Sequence, residues 1–598
     1  MIARLGRVRR AFGASVGALL GGAALIAPAP EAAAEAPATG NSALENVCTA
    51  DAMQAVVGGL PGGVTVGAIK DGTFKGATRF VAASGSRPAF CQVTGSFVTN
   101  PASGKTANFM ATLPAAWNGK YLQLGCSGHC GQFYVSDPAL PTVTVTAQGH
   151  PGQLIEKGYA VFATDEGHVG LDGASWAVKP DGSVDQDAID DFLFRADKVL
   201  VTVGKGFTKA FYGRLDGKPQ VIAKSYFEGC SGGGRDAMVV ASYFPEAFDG
   251  IIAGSPYNIV GMDLQASAIG AANGRSPGAA LSPALLALFD RTVKAQCDAL
   301  DEVKDGLIQN PGACNFVAER DLPRCAAGSS GDQCFTPTQI ETASVITSAV
   351  TDEHGAVVQP GYSVSELDVM PAAMAFLTNP TLKIIVHGND PAFAPASIFS
   401  FRRGGPGSVT AFHAVVPATE VARVRARLQQ GWGHDPANQA TLLASKTKLL
   451  MWHNFSDEKL SPLASVNWYK QLARAHGGYA QVQKQVRLFL LPGTAHCSMS
   501  SIAPNSFDAV GALEKWVEQG QAPDALIANV SDRQFTPGVP KAPALLTPEY
   551  TMPLCKFPEQ ARYDGKGDKQ RASSWSCRAA DSRLLTVGES GRQAGELN

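Results

Sequence analysis

Three observations predict an α/β fold built on a mostly parallel sheet and interrupted by a large insertion. Short, near-continuous apolar runs alternate with amphipathic helical stretches from Phe109 to Pro256, the pattern of strands buried on both faces and covered by helices. That rhythm breaks between about Tyr257 and Ser445 and resumes with Thr447–Trp452. At one strand-to-helix junction, Ser225-Tyr-Phe-Glu-Gly-Cys-Ser-Gly-Gly-Gly-Arg-Asp-Ala-Met238, a serine is packed among glycines.

With 598 residues the chain is long enough for a large core and more than one domain. Fifty basic and 52 acidic side chains leave a formal net charge of -2, so neither a nucleic-acid footprint nor an acidic tail is visible. Residues 1–34 are expected to be a signal peptide. Arg4, Arg7, Arg9 and Arg10 form a basic start, Phe12–Ile26 an apolar run, and Ala32-Ala33-Ala34 a cleavage site. Arg9-Arg10 faintly resembles a twin-arginine signal, but the general secretory route is the default expectation. The apolar run is short and broken by glycines, which argues against a membrane anchor. The mature chain is therefore expected to be secreted or periplasmic and to have no membrane partner.

A Pro/Ala-rich linker over 35–47 leads into Cys48–Pro101, which alternates apolar and polar residues and predicts short strands. Phe109–Pro114, Lys120–Leu124, Tyr159–Thr164, Lys224–Glu228 and Ile251–Pro256 are predicted strands, and Asp187–Phe211 and Arg235–Tyr243 predicted helices. Residues 257–445, with four cysteines, many polar turns and scattered aromatics, predict an inserted domain between a first core part at 48–256 and a second at 446–598. In that second part Thr447–Trp452 and Val486–Leu491 are strands, Ser465–His476 and Phe507–Gln519 helices, and the end a polar tail.

Gly229-Cys-Ser-Gly-Gly233 has the G-x-S-x-G spacing of a nucleophile elbow, which holds its serine on a strained turn between strand and helix. A glycine-rich turn that merely contains a serine is the ordinary alternative. What favours the elbow is the order of the other candidates. Asp457 follows one predicted strand and His496 the next, giving the order Ser, acid, His of an α/β-hydrolase. In those roles His496 takes the proton from Ser231 and Asp457 orients the imidazole. Cys230 immediately precedes the serine and Cys497 immediately follows the histidine. If serine and histidine side chains meet, their neighbours fall within disulfide reach, which predicts a Cys230–Cys497 bond.

The Cys-Ser…Asp…His-Cys pattern resembles the tannase and feruloyl esterase family, which includes the hydrolase of mono(2-hydroxyethyl) terephthalate. Trp117-Asn-Gly-Lys-Tyr121, Thr164-Asp-Glu-Gly-His168, Phe244-Pro-Glu-Ala-Phe-Asp-Gly250 and Ala509-Val-Gly-Ala-Leu-Glu-Lys-Trp516 add to the resemblance, which runs from about Cys48 to Cys577. It implies an α/β-hydrolase core with a large inserted lid domain, and hydrolysis of small aromatic carboxylic esters through an acyl-enzyme. The oxyanion hole is expected from the N–H of Gly232 plus one from the loop Gly125–Gly131, assigned to Gly128. Family members often carry a run of glycines in that loop. This chain has Cys126 and Cys130 there, and whether they pair stays open.

Asp298, Asp301 and Asp305 lie on a tight loop whose hard oxygens suit Ca²⁺, although the spacing is not that of an EF-hand. The resemblance implies a structural calcium there, held by the three aspartates and backbone oxygens of Val303 and Leu307, with no organic cofactor. Proximity and the resemblance imply the bridges Cys48–Cys91, Cys297–Cys314, Cys325–Cys334 and Cys555–Cys577. Lid aromatics and the Arg402-Arg403 pair are candidates for holding a planar acyl group with an anionic substituent, against a plain solvated loop. Asn454-Phe-Ser456 and Asn529-Val-Ser531 match the glycosylation pattern, and the first is discounted for its place beside Asp457. The chain is expected to act as a monomer. The competing readings are an acyltransferase on the same scaffold and a non-catalytic binding protein.

Overall fold

The structure, a computed structural model, describes residues 38–69, 77–132, 151–170, 173–365, 380–406, 410–498, 502–530 and 549–579. The expected signal peptide lies outside them.

The stretch expected to be linker and strand is helical at its start. Ala38–Val47 and Ala50–Val57 are helices, and in the second Ala52, Met53, Val56 and Val57 are buried. Their spacing marks one helical face, not the alternation of a strand. Thr49 caps this helix by accepting the Ala52 N–H at 3.3 Å.

The chain then builds β1 (Thr65–Val66), β2 (Thr78–Val81), β3 (Phe90–Asn100), β4 (Lys105–Pro114), β5 (Lys120–Leu124), β6 (Ala160–Thr164), β7 (Lys224–Cys230) and β8 (Gly250–Gly254). Between β8 and its return to this sheet it forms a separate four-stranded sheet, ordered β10-β9-β12-β11, from β9 (Val350–Asp352), β10 (Val357–Gln359), β11 (Ser400–Arg403) and β12 (Phe412–Val416). It re-enters with β13 (Lys448–Asn454) and β14 (Val486–Leu491). The main sheet is ordered β1-β3-β4-β6-β5-β7-β8-β13-β14, with β2 paired to β3. Two further pairs, β15 (Ala525–Asn529) with β16 (Thr551–Cys555) and β17 (Glu559–Tyr563) with β18 (Trp575–Ala579), close the described chain.

The sheet is parallel from β6 to β14 and antiparallel from β1 to β6. The expectation of a mostly parallel sheet therefore holds for the half that carries the elbow. In the other half β3 and β4 are antiparallel because the turn that joins them is too short for a crossover. In the parallel half β8 is buried along its whole length and β7 and β13 everywhere but their first residue, as near-continuous apolar runs require. The predicted helix Asp187–Phe211 is broken. Gln186–Asp190 is α-helical, Asp191–Arg195 is one π turn, and Ala196–Asp216 is α-helical again. The loops after β7, β13 and β14 emerge at one edge of the sheet, the position at which open α/β sheets bind ligands.

Candidate active site

Ser231 stands between β7 and the helix Gly232–Tyr243, at φ 65° and ψ -119°. This is the left-handed region, costly for a residue with a Cβ, and it is held by bonds on both sides. The Ser231 N–H donates to the Gly254 carbonyl at 3.0 Å, and the Ser231 carbonyl accepts from Arg235 and Tyr257 N–H, each at 3.0 Å. The glycines make the turn possible. A Cβ on Gly229 would lie 2.4 Å from the Gly233 carbonyl, so the strand and the first helical turn can touch only without one.

The three candidates from the sequence come together. Ser231 Oγ is 2.8 Å from His496 Nε2, and His496 Nδ1 is 2.8 Å from Asp457 Oδ2. Because a carboxylate only accepts, Nδ1 carries the proton, and Nε2 faces the serine hydroxyl as an acceptor. Asp457 Oδ1 accepts the Lys459 and Leu460 N–H groups at 3.0 and 2.8 Å. Burial pushes the Asp457 carboxyl up, but the charge of His496 and hydrogen bonds from His453 and His496 outweigh it and hold it below the usual carboxylate range.

Two neighbours escaped the sequence reading. His453 Nε2 lies 3.1 Å from the Leu460 carbonyl and 3.3 Å from Asp457 Oδ2, both acceptors, so it carries the proton; its Nδ1 accepts from Ser465 Oγ at 2.8 Å. Glu458, also buried, accepts the His496 backbone N–H at 3.0 Å. Burial, with the charge of Asp457 beside it, raises the Glu458 carboxyl. The only signal for either was adjacency to Asp457.

The predicted Cys230–Cys497 bond is present, with Cα atoms 6.1 Å apart, and ties the elbow to the histidine loop. The four bridges inferred for the other pairs are present too. Cys126 and Cys130, left open by the sequence, bond to each other. The loop they close lies on the elbow: a Cβ on Gly232 would meet the Gly128 carbonyl at 2.4 Å and the Gly128 nitrogen at 3.4 Å.

Beneath that loop Arg235 is buried against Glu166 at 2.8 Å and Asp236 at 2.6 Å. Burial raises the carboxyls of Glu166, Asp197 and Asp236, and the Asp236 charge adds to the first two. Among the described residues Cys126, Cys130, Glu166 and Asp236 bring metal-ligating atoms within 4.8 Å of one another, but both cysteines are bonded and offer no thiolate.

The aspartates of the expected calcium loop are spread more widely. Each folds one oxygen back onto backbone N–H groups: Asp298 onto Gly306 at 3.0 Å, Asp301 onto Val303 at 3.0 Å, and Asp305 onto Leu307 at 3.1 Å. Burial raises Asp301 to about 7 and raises Asp305, with the other aspartates adding repulsion. No ion pair among the described residues neutralises these carboxylates. Hard oxygens from the buried Asp298 and Asp301 and the exposed Asp305 fit a cation in donor type.

Arg402 and Arg403 are engaged within the insertion. Arg403 pairs with Glu319 at 2.7 Å, and Arg402 donates to the Glu353 and Asp352 carbonyls at 3.3 and 3.5 Å. Asn454 is fully buried, with its side chain bonded to Ser255, Thr494 and Ser498, which excludes a glycan there. No described helix is long and apolar enough to cross a membrane.

The sequence pattern of tannase and feruloyl esterase matches residues 91–578. The chain belongs to the tannase and feruloyl esterase family. Its members are carboxylic ester hydrolases, and this chain is one. It is 30% identical over 479 residues to a probable feruloyl esterase of Arthroderma benhamiae, covering 78% of this chain and 81% of that one. It is 26% identical over 587 residues to the mono(2-hydroxyethyl) terephthalate hydrolase of Piscinibacter sakaiensis, covering 87% and 89%. The structure of feruloyl esterase B from Aspergillus oryzae superposes with a TM-score of 0.67 at 22% identity, over 86% of this chain and 97% of that one. That of tannin acyl hydrolase from Aspergillus niger gives 0.61 at 18% identity, over 91% and 96%. At such identities the superpositions speak for the fold.

Proposed function

We propose that this family member is an exported serine esterase that cleaves esters of aromatic carboxylic acids, with Ser231, His496 and Asp457 as its catalytic triad. The observation that carries the reading is the pair of 2.8 Å contacts running from Ser231 through His496 to Asp457. Feruloyl, galloyl, hydroxybenzoyl and monoterephthaloyl esters are the substrate class, the first and last of them in line with the names of two relatives.

Ser231 Oγ attacks the ester carbonyl carbon as His496 Nε2 takes its proton. The carbonyl oxygen becomes an oxyanion, stabilised by the N–H groups of Gly232 and Gly128. The start of the helix Gly232–Tyr243 adds its positive end, where N–H groups lack intrahelical acceptors. Collapse expels the alcohol, protonated by His496, and leaves an acyl-serine. Water, deprotonated by His496, then attacks the acyl carbon and returns the serine with release of the acid. Throughout, Asp457 holds the imidazole proton on Nδ1 and stabilises the imidazolium.

The insertion at 257–445 is read as a lid that completes the acyl pocket. Calcium would be held by Asp298, Asp301 and Asp305 with the carbonyls of Val303 and Leu307. When bound, it would supply positive charge that braces this loop. The test is turnover of methyl ferulate, methyl gallate and mono(2-hydroxyethyl) terephthalate by wild type and Ser231→Ala. Turnover lost in the variant supports the reading. Turnover that survives it excludes the triad, and a folded wild type inert on all three excludes the aromatic class.

A further inference from the structure

The loop that carries Gly128 is a covalent ring. Cys126 and Cys130 close it, and inside the ring the Cys130 N–H donates to the Ser127 carbonyl at 3.0 Å. Gly128 sits at φ 63° and Cys130 at φ 64°. For glycine that conformation is free, but for cysteine it has to be enforced.

The other fastenings of the ring lead to the elbow strand and helix and to the loop after β6. The Cys126 N–H donates to Asp236 Oδ2 at 3.2 Å, and Asp236 lies on the elbow helix directly after Arg235. The His129 carbonyl accepts from His168 Nε2 at 2.7 Å. On either side, the Gly125 N–H donates to the Glu228 carbonyl at 2.9 Å and the Gly131 N–H to the Asp165 carbonyl at 3.1 Å. The Gly128 N–H donates to no protein acceptor among the described residues, and its nitrogen lies against Gly232. A small ring pinned on both flanks thus places the Gly128 N–H, without a protein acceptor among the described residues, beside the first N–H of the elbow helix.

We infer that the Cys126–Cys130 disulfide is a positioning device for the oxyanion hole: it holds the Gly128 N–H in register with that of Gly232. The inference rests on the serine-esterase reading and adds to it a covalent source of preorganisation. A flexible loop has to order its donor as charge develops, at a cost to the barrier; a closed ring has ordered it beforehand. Cys126 and Cys130 act through Gly128 and do not touch the reacting atoms, so they are positioning residues. Their effect is confined to the state in which the carbonyl oxygen carries charge. Loss of the bridge therefore lowers kcat and leaves ground-state binding nearly unchanged.

The experiment compares oxidised full-length wild type with C126S/C130S and C126A/C130A. Active sites are counted by titration with a fluorophosphonate, so that kcat refers to competent serines whatever the folding yield. The expected result is a kcat lower by about 10- to 100-fold with KM within about twofold, short of the 10²–10³ loss of a whole donor. Inhibition by an aryl boronic acid, whose adduct with serine places an oxygen in the hole, should weaken by a similar factor, while inhibition by the aromatic acid product stays unchanged. An unaltered kcat with unaltered boronate affinity overturns the inference. A non-reduced peptide map showing thiols at 126 and 130 in active wild type also overturns it, and needs no variant to fold. If Ser231→Ala keeps its turnover and the probe labels no serine, the underlying reading has failed instead.

Discussion

Asp457 uses both of its oxygens, Oδ1 on two backbone N–H groups and Oδ2 on His496 and His453. Asp457→Asn keeps the shape but offers an amide where Nδ1–H needs an acceptor, so the imidazole turns to the wrong tautomer. The expected loss in kcat is about 10⁴-fold with KM little changed, read from steady-state kinetics at neutral pH. Asp457 and His496 were legible because each follows an apolar run with strand character. His453 was not, because just past the predicted strand Thr447–Trp452 it offered only its nearness to Asp457, and the observed strand Lys448–Asn454 is what turns it toward the acid. Glu228 supplies a second prediction at this scale. It is buried on β7, and burial raises its carboxyl to about 8. The unfolded chain ionises this group near the ordinary value of about 4.3, so stability falls as pH rises from there to about 8 and is level above. Glu228→Gln should flatten that decline and raise Tm relative to wild type at pH 9. A gap between the two that shrinks with rising pH would contradict the burial argument.

At the scale of elements, the candidate active site is three loops from one edge of the parallel strands, and the Cys230–Cys497 bond ties two of them. The partners are 267 residues apart in sequence. Closing so long a loop in the unfolded chain is worth on the order of 5 kcal/mol in the chain-entropy view. C230S/C497S should show a strongly lowered Tm, and a lower kcat because the Ser231–His496 contact loses its clamp; differential scanning calorimetry and initial rates report the two effects separately. This bridge was legible because the catalytic geometry dictated it. The break in the helix after Asp185 was not, since the periodicity runs on through the π turn at Asp191–Arg195. There the Asp191 side chain accepts from Arg195 Nε four residues on at 2.6 Å and from Thr99 Oγ1 at 2.8 Å, the second a tertiary contact that no local propensity records. The opening helices were missed for a similar reason: a short, glycine-flanked segment carries too few periodic positions to separate a period of 3.6 from one of 2.

For the molecule as a whole, the change of rhythm after Pro256 coincides with the chain leaving the main sheet after β8 to build a separate four-stranded sheet before β13, but how that stretch attaches to the core was not legible. The aspartate loop is one of those attachments. Val303 packs with Cys555, Ala561 and Trp575, and Leu307 with Ala503, Tyr550 and Met552, so the loop joins the start of the insertion to the C-terminal strands. Leu307 also abuts the histidine loop, where a Cβ on Gly493 would meet its Cδ1 at 2.3 Å. A cation among Asp298, Asp301 and Asp305 would therefore brace the insertion, the terminal strands and the approach to His496 together. Chelation should lower Tm and, through the histidine loop, kcat; added Ca²⁺ should restore both, and Asp301→Asn should remove the response. The sign of the pH dependence follows from Asp301, raised to about 7 by burial and by its neighbouring aspartates. Protons compete with the ion below that value, so the calcium-dependent gain in Tm should be larger at pH 8 than at pH 6. A Tm indifferent to chelator and to calcium at both pH values would mean that the three aspartates bear their mutual repulsion without an ion, each capped on one oxygen by backbone N–H groups.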